Sequence, residues 1–170
     1  IGWCDWSSDV CSSDLLFNGT DLTGWKGEGY VVEDGAITAT PAAKNLVTED
    51  TFANYVLEFD FLLTPAANNG LGIHYPGTGD AAYTGLELQI LDDGDPKYKD
   101  IKDAQTHGSI YLLSAAKRGF LKKAGEWNHE KIVVTATGVT VELNGEIILR
   151  RDLNDLAARN PKHQGVQRRS

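Results

Sequence analysis

Alternation with a period of two, interrupted every few residues by glycine turns, sets what this chain can fold into. In YVLEFDFLL the residues Tyr55, Leu57, Phe59, Phe61 and Leu63 alternate with the charged Glu58 and Asp60, the pattern of a strand with one buried face. YVVEDGAITAT has apolar-rich arms on either side of Asp34-Gly35. That dipeptide suits a two-residue hairpin turn, because both central residues take positive φ. GLGIHY and GLELQIL read as further strands, and KIVVTATGVTVELNGEIILR as three strands with a glycine turn and an Asn144-Gly145 hairpin. Only DLNDLAARN reads as helical. Many short alternating strands joined by tight turns predict an all-β sandwich.

The 170 residues suffice for one domain with a sizeable core. A formal charge of −8 leaves no basic stripe to neutralise phosphates, which argues against nucleic acid as a partner. No apolar run approaches membrane-spanning length. Residues 4–15, CDWSSDVCSSDL, stand apart: they hold both cysteines, are rich in Ser and Asp, and show no apolar period. They resemble the translation of a widely used sequencing-library adapter, so residues 1–15 are read as a non-native segment and residues 16–170 as the domain. A natural Ser/Asp-rich linker is the alternative, and in a secreted protein Cys4 and Cys11 could form a bridge.

Two longer connections, 75–84 and 92–107, flank the strand GLELQIL, and long loops in compact domains are often functional. In that strand Leu86, Leu88 and Ile90 point one way and Glu87 and Gln89 the other, about 7 Å apart. An acid beside an amide suits a ligand with several hydroxyls; the plainer reading is a solvated polar edge. The run from Glu87 through Gln89 to Asp92 also invites comparison with a retaining glucanase strand. Retaining hydrolysis needs two carboxyls about 5–5.5 Å apart, and Gln89 at the central position disfavours it. His107 precedes a glycine and a short strand, where its ring could reach into a cleft. Tyr111, Lys117 and Arg118 follow, suited to sugar hydroxyls or a developing oxyanion. His74 is the one histidine within an expected strand, while His129 and His163 read as surface residues. No Cys/His spacing supports a structural zinc, and DDGDPKYKD lacks EF-hand spacing. Asn18-Gly19-Thr20 is either a glycosylation acceptor or a turn. Trp25 and Trp127 are either sugar-stacking or buried.

LFNGTDLTGW, EDGAI, NNGLGI, GDAAYTGLELQILDD, HGSIY, AKRGFLKKAGEWN, VTVELNG and NPKH, in this order, resemble the 3-keto-disaccharide (3-keto-glycoside) hydrolases. The resemblance implies a concanavalin A-like jelly roll, export to the periplasm or medium, and a missing signal peptide. Related sequences continue beyond an Arg-Ser step, so the expectation is a sandwich lacking its last strand or strands. They more often carry Arg at position 74 and Gly at 112, where this chain has His74 and Leu112.

The implied activity is cleavage of 3-keto-glucosides made by a separate oxidoreductase, through abstraction of the C2 proton, elimination of the aglycone and hydration. Glu87 or His107 would be the base. His74, Gln89, Asp92, Tyr111, Lys117, Arg118 and Asn69 would contact the sugar. A divalent metal ion would touch Asp92 and His107, and no organic cofactor is called for. A non-catalytic carbohydrate-binding module is the competing reading, since fold alone does not fix function.

Overall fold

A computed structural model of the chain describes residues 15–167. Cys4, Cys11 and all of the adapter-like stretch except Leu15 lie outside the described residues. The chain divides into two compact units, Ile1–Phe52 and Ala53–Ser170.

The first unit holds β1 (Trp25–Lys26), β2 (Tyr30–Glu33), β3 (Ala36–Ala39) and β4 (Val47–Thr48). β1 pairs with β4 and β2 with β3, both antiparallel. The β2–β3 turn is the expected one, with Asp34 at φ 51° and Gly35 at φ 74°. Asn18 accepts the N–H groups of Thr20 and Asp21 through its side-chain oxygen, so this segment is a turn closed by its own carboxamide. Trp25 is half-buried and donates its indole N–H to the Leu16 carbonyl at 2.7 Å.

The second unit holds β5 (Tyr55–Leu62), β6 (Asn68–Ile73), α1 (Ala81–Thr84), β7 (Leu86–Leu91), β8 (Trp127–Val134), β9 (Gly138–Leu143), β10 (Glu146–Asp152), α2 (Leu153–Arg159) and α3 (Gln164–Gln167). Four strands form an antiparallel sheet in the order β10-β9-β8-β5. The β9–β10 hairpin turns on Asn144 at φ 51° and Gly145 at φ 90°. β10 carries a register shift between Ile147 and Leu149. Two successive residues, Ile148 and Leu149, are thereby both buried.

β6 and β7 form a second antiparallel pair. Residues 108–111 extend it along the other edge of β7: Gly108 N–H donates to Gln89 O, Gln89 N–H to Ser109 O and Tyr111 N–H to Glu87 O, at 2.8–2.9 Å. Leu86, Leu88 and Ile110 from this layer meet Ile132, Val141 and Leu143 from the four-stranded sheet in one core. Each such side chain contributes about 1.5–3 kcal/mol by leaving water. The protein is all-β in class, as the alternation predicts.

Four local expectations change. Short helices α1 and α3 join the expected α2, and two single 3-10 turns, Pro96–Tyr98 and Asp103–Gln105, occupy the 92–107 connection. His74 lies just beyond β6, because its φ of 48° takes the chain out of the extended region. His129 is exposed, as expected, but lies within β8, with Nδ1 2.8 Å from Asp60 Oδ1. His163 is partly buried, with Nε2 2.8 Å from the Ala82 carbonyl, because α3 packs against α1. Among the described residues no helix is long and apolar enough to cross a membrane.

Leu112, which is 44% exposed, sits at φ 60°, a conformation that strains a branched side chain by about 1–2 kcal/mol. Glycine there would relieve that strain, but it would also remove a side chain that is more than half covered, at a cost of about 1 kcal/mol, and add unfolded-state entropy. Leu112→Gly is therefore expected to leave stability within about 1 kcal/mol of wild type. Urea unfolding checks this, and a loss above about 2 kcal/mol would refute it.

Candidate active site

Register builds the site. Glu87 pairs with Gly72, Gln89 with Gly70 and Leu91 with Asn68. Partners across an antiparallel ladder share a face, so Glu87 and Gln89 stand over a β6 surface made of Asn68 and two glycines. The Leu88–Ile110 bridge places Tyr111 on Glu87's face, beyond the other edge of β7. Gln89, 4% exposed, donates its amide to Asn68 Oδ1 at 3.2 Å. The Tyr111 hydroxyl accepts from Gln105 Nε2 at 3.1 Å. One carboxyl, a pinned carboxamide pair and a pinned phenol thus border the same strip.

Glu87 is half-buried, and burial pushes its carboxyl above the ordinary range, with the negative charge of Asp80 adding to the effect. A carboxylate displaced upward is a better base for carbon acids near neutral pH. Asp80 precedes α1 and caps it, accepting the Ala82 N–H at 2.9 Å. Asparagine caps equally well, so Asp80→Asn removes the charge and keeps the helix. With Glu87 as a base, which must be ionised to act, activity is expected to climb as pH rises through its pKa. Asp80→Asn is expected to move that climb to lower pH, as measured by kcat/KM against pH. An unmoved or upward-shifted limb would count against the coupling.

His107, Asp92, Arg118 and Asn69 are directed to other partners. His107 is 4% exposed and turned into the interior, not towards a cleft. Its ring stacks on Phe61 with centroids 5.3 Å apart. Nδ1 accepts the Leu91 N–H at 3.3 Å. Nε2 therefore carries the proton and faces Glu130 Oε2 at 3.0 Å, on a carboxyl with no exposure. Asp92 is buried, its Oδ2 accepting the Ala66 N–H at 2.9 Å. Arg118 holds Asp93, with Nε 3.5 Å from Oδ2 and Nη2 donating to the backbone oxygen. Lys117 is exposed, its N–H donating to Ile148 O. Asn69 pairs with Ile90 on the opposite face from Glu87. His74 is half-buried where β6 ends.

Asp92 and His107 do not fit the cation that the sequence resemblance implies. Both nitrogens of His107 have partners within the protein, and the described residues offer no group of three His, Cys, Asp or Glu that could hold a metal. Asn68, Gln105, Asp80 and Glu130 are the residues that sequence reasoning missed. A signal existed for Glu130: it lies two residues before the apolar Ile132 and four before Val134, on their face of β8. A concavity of about 590 Å³ lined by Tyr83, Leu113, Pro161 and His163 lies elsewhere in the unit and does not include Glu87.

A carboxyl, a pinned amide pair and a pinned phenol on one face of an all-β layer suit a polar ligand with several hydroxyls. The chain belongs to the 3-keto-alpha-glucoside-1,2-lyase-like domain family, whose profile matches residues 12–169. Two crystal structures from Parabacteroides distasonis ATCC 8503, both provisionally designated glycosyl hydrolases, are similar. One has a TM-score of 0.74 and 28% identity over 79% of this chain and 69% of its own. The other has a TM-score of 0.72 and 29% identity over 81% and 70%. A third such structure from the same organism has a TM-score of 0.62 and 25% identity over 78% and 62%. No curated protein matches the chain.

Proposed function

We propose that this chain cleaves 3-keto-glucosides, with Glu87 as the base that removes the C2 proton. The observation that carries this reading is a half-buried carboxyl with a raised pKa beside the Gln89–Asn68 pair, on a strip where β6 has no side chain at two positions. A ketone at C3 makes the neighbouring C2–H acidic enough for one carboxylate. Glu87 takes that proton, and the C2–H electrons move into an enolate on the C3 oxygen. The enolate collapses to form C1=C2 and expel the aglycone oxygen, which takes up a proton. Water then adds at C1, and a proton returns to C2, giving 3-keto-glucose and the free alcohol. No second carboxylate at glycosidase spacing is required. Tyr111 and the Gln89–Asn68 amides would hold the ring oxygens, and a separate oxidoreductase would supply the ketone. Export to the periplasm or medium remains part of this proposal.

The test is nitrophenol release from nitrophenyl 3-keto-glucoside and from the unoxidised glucoside. Release from the keto substrate alone is expected. Equal release from both would point to direct glycosidic cleavage. Binding without release would point to the carbohydrate-binding module.

A further inference from the structure

We propose that Gly70 is the positioning residue for Glu87: its missing side chain is the seat on which the Glu87 carboxyl lies. The inference deepens the reading above and rests on Glu87 being the base. A Cβ built at Gly70 falls on Glu87 Oε1, and lies 2.5 Å from its Cγ and 2.6 Å from its Cδ. Glu87 therefore does not stand away from its strand. It leans diagonally across β6, passing Gly72, its own ladder partner, towards the Gly70–Gln89 pair. This direction puts the carboxyl beside the Gln89–Asn68 amides.

Gly70 is not needed for backbone reasons. Its φ lies outside the left-handed region, and the three nearest heavy atoms to the built Cβ are all Glu87 side-chain atoms. Alanine at 70 thus meets a flexible side chain that can swing away. In a strand it also removes glycine's entropic penalty. The fold should tolerate the change, and only the carboxyl should move.

The experiment compares wild type, Gly70→Ala and Glu87→Gln on nitrophenyl 3-keto-glucoside, with kcat, KM and melting temperature for each. Gly70→Ala is expected to lower kcat by about 10²-fold, the scale set by an ångström of misplacement. KM should change little, and the melting temperature should stay equal or rise. Glu87→Gln should be near inactive. A Gly70→Ala variant with wild-type kcat beside an inactive Glu87→Gln would overturn the positioning role and leave the base assignment standing. A lowered melting temperature, with activity falling only as folded protein is lost, would overturn it too. An active Glu87→Gln would remove the base assignment and the seat together.

Discussion

Glu87→Gln is expected to lower kcat on a 3-keto-glucoside by about 10²–10⁴-fold, the range that one positioned general base contributes. The amide keeps the length and planarity of the side chain, so it still fits over Gly70 and substrate binding should persist. The same substitution should stabilise the protein at neutral pH. Glu87's pKa is raised in the folded state, so its ionised form is held less well there than in the unfolded chain. The penalty applies above the folded pKa and disappears as pH falls below the unfolded one. A melting-temperature gain near pH 7 that fades in acid is the expected signature, a stability gain made at the expense of activity. Loss of turnover together with loss of sugar binding would instead mean that Glu87 holds the ligand.

His107→Ala is expected to destabilise the fold by about 3–5 kcal/mol, as removal of one member of a buried polar pair does. Three defects arise together. The Leu91 N–H loses its acceptor, the buried Glu130 carboxyl loses its Nε2–H, and Phe61 loses the ring stacked on it. Glu130 has little to fall back on, since its Oε1 is buried with no hydrogen-bond partner among the described residues. The expected fall in melting temperature is roughly 10 °C. Glu130→Gln, whose amide oxygen still accepts from His107, should cost far less. Replacing both residues with leucine should recover part of the loss, because no carboxyl is then left stranded, although the Leu91 N–H still lacks its acceptor. A shift under about 1 kcal/mol for His107→Ala would show that water replaces the ring; His107 would then not be the clasp between β7 and β8.

The strands most legible in the sequence are those with one covered face. β5, β8 and β9 follow their apolar parity, β10 breaks it where Ile148 and Leu149 are both buried, and the Asp34-Gly35 and Asn144-Gly145 turns follow from backbone sterics alone. β7 was harder. Its alternation separates Glu87 and Gln89 from the leucines correctly, yet Gln89 is as buried as they are, because Asn68 and the 108–111 segment close over it. The adjacent Asn68 and Asn69 differ only in register, which no local spacing reveals. His107 could not be aimed from sequence at all. Its direction follows from Gly108 at φ 73°, whose missing Cβ leaves room for Ile148, and from a carboxyl on a strand 23 residues away. The Gly70 seat is a relation between two strands, so NNGLGI alone shows a glycine and not its purpose.

β5 and β8 run side by side, with Leu62 directly opposite Trp127. Everything from 63 to 126 is therefore one excursion that leaves and re-enters the four-stranded sheet at a single rung, its ends about 5 Å apart. Glu87, Gln89, Tyr111 and their supports all lie within it. The excursion is not a passive insert, for Leu86, Leu88 and Ile110 give that sheet its apolar cover. The Glu87 strip and the sheet's cover thus travel as one cassette. An exchange between relatives that cuts at this rung moves the strip with its own half of the core, whereas a cut between residues 70 and 87 separates the proposed base from its proposed seat.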